Sequence, residues 1–192
     1  MKKGITIGSF PRQSLKENFL LAKKAGFDGV EVALDLEGEI NMNSTAEDMQ
    51  PIKAMAEELG LEFYGVTTDL HWRYNLVSDD QEERDMAKAV IRKEIDVAAW
   101  LGCGSVLVVP GSVGVDRFPD WKLIDYDIAL KRSFEAIKEL SAYAEEKKVI
   151  IGIENVVNKF LLSPAYDNLP YFFCVILQRC NHSRLHIIKH LN

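Results

Sequence analysis

The sequence predicts an α/β fold of the (β/α)-barrel type, incomplete at five strands. Three observations carry that reading. Apolar runs without polar alternation recur along the chain, each followed by apolar residues at helical spacing, the pattern of parallel strands covered by helices. The connections after the third and fourth apolar runs are long and rich in polar and aromatic residues, whereas those after the helices are short. Long loops at the carboxyl ends of parallel strands are where α/β proteins place their sites. No Gly-x-Gly-x-x-Gly follows the first run and no P-loop sequence occurs, which counts against a nucleotide-binding doubly wound sheet.

The elements follow in order. The first strand covers residues 4–10. Ser14, with Glu17 three residues on, opens the first helix as a capping box, and Leu15, Phe19 and Ala22 give it an apolar face. Gly26 ends it. Residues 29–34 form the second strand. Ser44 or Thr45 caps the second helix, whose inward face is Met49, Ile52, Ala56 and Leu59, with Gly60 as the stop. The third strand is 61–67 and the third helix about 80–101, with Ala87, Val90, Ile91, Ile95 and Ala98 inward and Gly102 after it. The fourth strand is 105–110. A helix over 127–147 buries Leu130, Phe134, Ile137 and Leu140 or Ser141, and 149–154 is the fifth strand.

Composition bounds the partners. The 192 residues are 47% hydrophobic and 27% charged, the balance of one soluble globular domain. A formal net charge of -6 offers no field for nucleic acid or an anionic membrane. No apolar run reaches the roughly 18 residues of a membrane span, and the amino terminus reads as a strand rather than a signal peptide. Cys103, Cys174 and Cys180 have neither zinc spacing nor an even-numbered disulfide framework. A reduced, cytoplasmic protein is expected.

From Ala165 on, the composition shifts. Of 29 acidic residues only Asp167 lies there, yet two of the three cysteines and three of the four histidines do. Residues 171–177 are strand-like but lack the helix that should precede them. The domain reading is therefore 1–164 as the regular α/β part and 165–192 as an atypical tail. A broken gene or a changed reading frame near Pro164 is the simplest account.

The chemistry-bearing candidates sit at strand ends. Glu154 closes the apolar run Val149–Ile153, and a carboxylate at the carboxyl end of a barrel strand reads as catalytic or metal-binding. Asn155, Asn158 and Lys159 follow it and supply donors that a polyol or phosphate would use. His71 and Trp72 lie in the loop after the third strand, where an aromatic ring can stack on a sugar. Arg73 and Lys159 suit a phosphate. Glu31 suits a hydrogen bond near the mouth, Phe118 and Trp121 suit a lid or interface, and Cys103 a small buried position.

The stretch Gly152-Ile-Glu-Asn-Val-Val-Asn-Lys-Phe-Leu-Leu-Ser-Pro164 resembles the strand-five sequence of the sugar phosphate isomerase/epimerase family, the xylose-isomerase-like TIM barrels. Residues 107–116 (LVVPGSVGVD) resemble its strand-four segment, and residues 26–32 (GFDGVEV) its strand-two entry. The resemblance covers about residues 1–164. It implies one divalent cation, commonly manganese, held by Glu, Asp, His and Glu from strands five to eight. It also implies two glutamates that move a proton at the carbon beside a ketose carbonyl through an enediolate, with a ketose or ketose phosphate as substrate. Glu154 matches the first metal ligand and one member of the pair. The other three ligands are not found: the residues after Pro164 hold no glutamate. Asp167, His182, His186 and His190 match only by residue type, the three histidines at i, i+4 and i+8. An inactive chain of isomerase lineage is therefore expected. Five strands do not close an eight-stranded barrel, so an exposed edge and self-association are expected too. Two alternatives remain: a metal-dependent hydrolase like the apurinic-site endonucleases, against which stand the acidic charge and the absence of histidine at the end of strand four, and a non-catalytic truncated product.

Overall fold

The computed structural model describes residues 1–118 and 120–161. Five strands form one parallel sheet in the order in which the chain visits them: β1 (Gly4–Thr6), β2 (Gly29–Leu34), β3 (Glu62–Thr68), β4 (Ser105–Val108) and β5 (Ile150–Ile153). A doubly wound sheet reverses its strand order at a switch point; this one never does, and it is a TIM-barrel-type α/β sheet. Helices α1 (Leu15–Lys24), α2 (Ala46–Glu58), α3 (Gln81–Leu101) and α4 (Tyr126–Lys147) make the crossovers.

Strand alternation divides the two faces. Val30, Val32, Leu34, Val66, Val106, Val108 and Ile151 are buried toward the helices. The intervening Glu31, Ala33, Thr67, Leu107 and Gly152 are half-buried on the other face. Burying a side chain such as Val or Leu contributes about 1.5–3 kcal/mol, so the helix-side layer holds the sheet together. Phe19 of α1 meets Phe63 of β3 edge-on, with centroids 6.0 Å apart.

The two caps anticipated from sequence are present: Ser14 and Glu17 form a capping box on α1, and Thr45, with Asp48, another on α2. Asp80 and Asp125, not read as caps, close the amino ends of α3 and α4. Glycines 26, 60 and 102 follow α1, α2 and α3 with positive φ.

Several bounds and faces differ from expectation. The strand expected over 4–10 stops at Thr6, because the Phe10 N–H turns back onto the Ile7 carbonyl at 3.1 Å. The fourth strand stops at Val108 rather than Pro110; proline has no N–H to continue a ladder. Helix α4 is rotated from its expected face. Ala129, Ser133, Ala136, Ile137, Leu140, Ser141 and Ala144 are buried, while Leu130 and Phe134 are only half-buried. Small side chains let α4 lie close to its neighbours, so size overrode hydrophobicity in choosing the buried stripe. The tail expected over 165–192, with Asp167, His182, His186 and His190, lies outside the described residues.

Candidate functional site at the carboxyl ends of the strands

The site is built where β3, β4 and β5 end. The Glu154 N–H donates to the Val108 carbonyl at 3.0 Å, so its backbone still belongs to the β4–β5 ladder although β5 ends at Ile153. That pairing delivers the half-buried Glu154 side chain at the carboxyl edge of the sheet.

After β3 the chain forms one 3-10 turn, Asp69–Trp72, capped by Thr68. The Thr68 hydroxyl donates to the Leu34 carbonyl at 2.7 Å and accepts the Leu70 N–H at 3.1 Å, locking the turn over β2. His71 points inward from this turn and is buried. Its Nε2 stands 3.3 Å from Oε2 of Glu94 and 3.4 Å from the Leu107 carbonyl. Glu94 lies on α3 with 0% exposure, and apart from His71 its carboxylate oxygens have no partner among the described residues. Glu31 bears on Glu94, and Glu154 bears on His71, through space.

The two buried groups are electrostatically coupled. Burial alone would lower the His71 value, but the facing Glu94 carboxylate, the Leu107 carbonyl and Glu154 carry it above its ordinary value. Burial raises the Glu94 carboxyl, with His71 opposing. Both shifts favour retention of one proton between imidazole and carboxylate.

Two buried asparagines join the loops. Asn75, after the 3-10 turn, donates to the Ser112 carbonyl at 2.8 Å and accepts the Ser112 N–H at 2.9 Å. Asn158, after β5, donates to the Gly111 carbonyl at 2.7 Å and to the Ser112 hydroxyl at 3.2 Å, and accepts the Phe160 N–H at 3.0 Å. The Asn158 carbonyl accepts N–H groups from Val113 and Gly114 at 3.1 Å each. Gly111 has φ +139, and a Cβ there would stand 2.6 Å from a Val77 methyl, so the loops approach only because it is glycine.

The sequence candidates are thus spread over different environments. Glu154 acts on His71 through space. Trp72 is half-buried at the rim, with the Arg117 guanidinium over its ring at 4.7 Å. Asn155 is exposed. Asn158 is buried with its amide occupied by the loop bonds above. Lys159 is exposed, with φ 58, and pairs with Asp116. Arg73 is exposed beside Tyr74. Phe118 and Trp121 stack at 6.0 Å. Cys103 is buried, and burial pushes its thiol up to about 11. Glu94 was not among the candidates. Its signal was present: it falls within the stripe that contains Val90, Ile91, Val97 and Ala98, and a carboxylate in an apolar stripe demands a partner. Arg117 was also missed, since nothing in the sequence brings it to Trp72.

Among the described residues no group of three His, Cys, Asp or Glu side chains gathers as a metal site. The described residues alone therefore do not fit a resident metal. Among the described residues no helix is long and apolar enough to cross a membrane.

The family model for the xylose isomerase-like TIM barrel matches residues 19–170. The chain belongs to that family. Within reach of this family fold, fructoselysine 3-epimerase of Shigella flexneri is 25% identical over 170 residues, which cover 88% of this chain and 57% of that protein. A crystal structure of D-psicose 3-epimerase in the presence of D-fructose aligns over 92% of this chain and 60% of its own, with 19% identity and a TM-score of 0.72. The Clostridium cellulolyticum H10 D-psicose 3-epimerase with D-tagatose aligns over 95% and 61%, with 21% identity and a TM-score of 0.70. The chain therefore spans about three fifths of the length of these relatives, and the family model takes in β2 to β5.

Proposed function

We propose that the chain carries the strand-five half of a ketose-epimerising site, with Glu154 as a carboxylate that moves a proton at the carbon beside the ketose carbonyl. The observation that carries this reading is the placement of Glu154 at the carboxyl end of β5, where its charge reaches the buried His71. A carboxylate held at a barrel mouth is suited to taking and returning a proton. The charge on His71 would act on Glu154, and Trp72 would offer an apolar wall to a sugar face. Asn155 and Lys159 stand at the rim as substrate contacts, and Asn158 acts by fixing the loop that follows Glu154. Support comes from the family membership and from the epimerases among the relatives.

A divalent cation, Mn2+ by the family resemblance, belongs to the same proposal. Glu154 would be one of its ligands, and the described residues do not gather a full ligand set for it. The 192 residues contain no glutamate after Glu154, and only Asp167 among acidic side chains there. We therefore expect no turnover from this polypeptide by itself. The buried unpaired Cys103 suits a reducing compartment, which favours the cytoplasm.

The test uses D-fructose in D2O with Mn2+, read by deuterium at C3. The 192-residue chain is expected to leave the C3 hydrogen unexchanged. A chimera joining residues 1–161 to the matching carboxyl-terminal part of a D-psicose 3-epimerase is expected to exchange it, and Glu154→Gln to reduce the rate by about 10²–10⁴. Exchange by the unfused chain that disappears in Glu154→Gln would overturn the inactivity expectation.

A further inference from the structure

We infer that Arg117 forms a subsite for the anionic end of a ketose, a phosphate monoester or a carboxylate, at the rim of the mouth. This deepens the ketose reading above and rests on it.

The guanidinium of Arg117 is oriented by aromatic rings. Its Cζ lies 4.7 Å from the Trp72 ring centroid and 4.8 Å from that of Phe118. Phe118 is itself stacked on Trp121 at 6.0 Å with 20° between the planes. A guanidinium held against ring faces keeps its edge N–H groups free and loses little freedom when it meets an oxyanion. Among the described residues no carboxylate lies within ion-pair distance of Arg117, whereas the neighbouring Lys159 is paired with Asp116. Arg117 thus stands at this rim without a carboxylate and between two ring faces, and its planar fork matches phosphate or carboxylate oxygens.

Its place in the fold points the same way. Trp72 directly follows His71, which bears on Glu154. Val113 and Gly114, just before Arg117, are hydrogen-bonded to Asn158, just after Glu154. Arg117 therefore stands between the turn after β3 and the loop after β5. The carboxylates of Glu154 and Glu31 repel an anionic terminus, and Asp120 lies exposed in the same loop as Arg117. A ketose whose reacting carbon meets Glu154 is thereby driven to direct its charged end at Arg117, which fixes its direction in the mouth. The overall charge of -6 leaves no general attraction for anions, so binding by this class would report a local site.

The test is titration of the 192-residue chain by calorimetry and tryptophan fluorescence, with D-fructose, D-fructose 6-phosphate, D-fructuronate and inorganic phosphate. At least one charged ketose is expected to bind about tenfold or more tightly than D-fructose. Tighter binding of the ester assigns phosphate, and tighter binding of the uronate assigns carboxylate. Arg117→Gln is expected to bring the charged ketose down to the level of D-fructose with the melting temperature unchanged, and Arg117→Lys to recover part of the preference. Equal binding of charged and neutral sugars, a preference that survives Arg117→Gln, inorganic phosphate binding as tightly as the ester, or no binding of either charged ketose would each overturn the subsite. Binding is read without turnover and is expected to persist in Glu154→Gln. Failure here therefore leaves the Glu154 assignment standing, and failure of exchange at C3 leaves the subsite standing.

Discussion

At the scale of residues, the buried His71–Glu94 pair sets the charge under the mouth, and its proton has a measurable consequence. His71 has a folded value above its ordinary value of about 6.5. The folded chain then keeps a proton that the unfolded chain releases. The stability contributed by the pair is fully present below about pH 6.5 and is lost as pH rises through the raised folded value. Urea midpoints are expected to fall from pH 6.5 to 7.5, a range below the ordinary thiol value at which Cys103 begins to contribute, and Glu94→Gln is expected to flatten the decline. A midpoint that rises over this range contradicts the raised His71 value. His71→Leu strands a buried carboxylate and is expected to cost about 3–5 kcal/mol, while the double variant His71→Leu/Glu94→Met recovers most of that loss. Chemical denaturation of the three proteins checks the difference. The position of Glu154 at a strand end was legible in the sequence because an apolar run broke at one carboxylate. Glu94 was not read, because its meaning depends on a histidine 23 positions away that only the fold brings to it.

At the scale of elements, the loops after β3, β4 and β5 act as one body through Asn75, Ser112 and Asn158. Asn158→Ala removes the amide bonds to Gly111, Ser112 and Phe160 and leaves buried groups unsatisfied. It is expected to cost about 1–3 kcal/mol, with amide exchange accelerating in residues 111–114 as well as after β5. Acceleration confined to the β5 loop contradicts the coupling. Helix α4 ends on Lys148 with φ 59, a conformation that costs an L side chain about 1–2 kcal/mol. Lys148→Gly is expected to raise the melting temperature slightly, and a fall contradicts the strain. The caps of α1 and α2 were readable because they are local, three residues across. The rotation of α4 was not, because it reflects close packing against neighbours, where Ala and Ser fit better than Leu and Phe. The asparagine links were invisible for the same reason: each joins positions 37 or more residues apart.

At the scale of the whole molecule, strand–helix alternation and loop lengths were enough to predict the parallel sheet, because each crossover unit is written continuously in the chain. Strand neighbourhood in a barrel follows chain order, so topology came with the alternation. The mouth was only partly legible, since its contacts cross between units. Among the described residues β5 pairs only with β4, and Ile150 of β5 is 48% exposed. An open parallel edge with apolar surface beside it favours pairing with another chain. Sedimentation of the 192-residue chain is expected to show concentration-dependent association, and a monomer across the accessible range contradicts that expectation. The assignment of Glu154 as the proton-moving carboxylate is tested most directly by deuterium incorporation at C3 of D-fructose, comparing the epimerase chimera that carries residues 1–161 with its Glu154→Gln variant. Exchange in the former and a loss of about 10²–10⁴ in the latter is the predicted result. A folded chimera that exchanges equally well with glutamine at position 154, or not at all with glutamate, would contradict it.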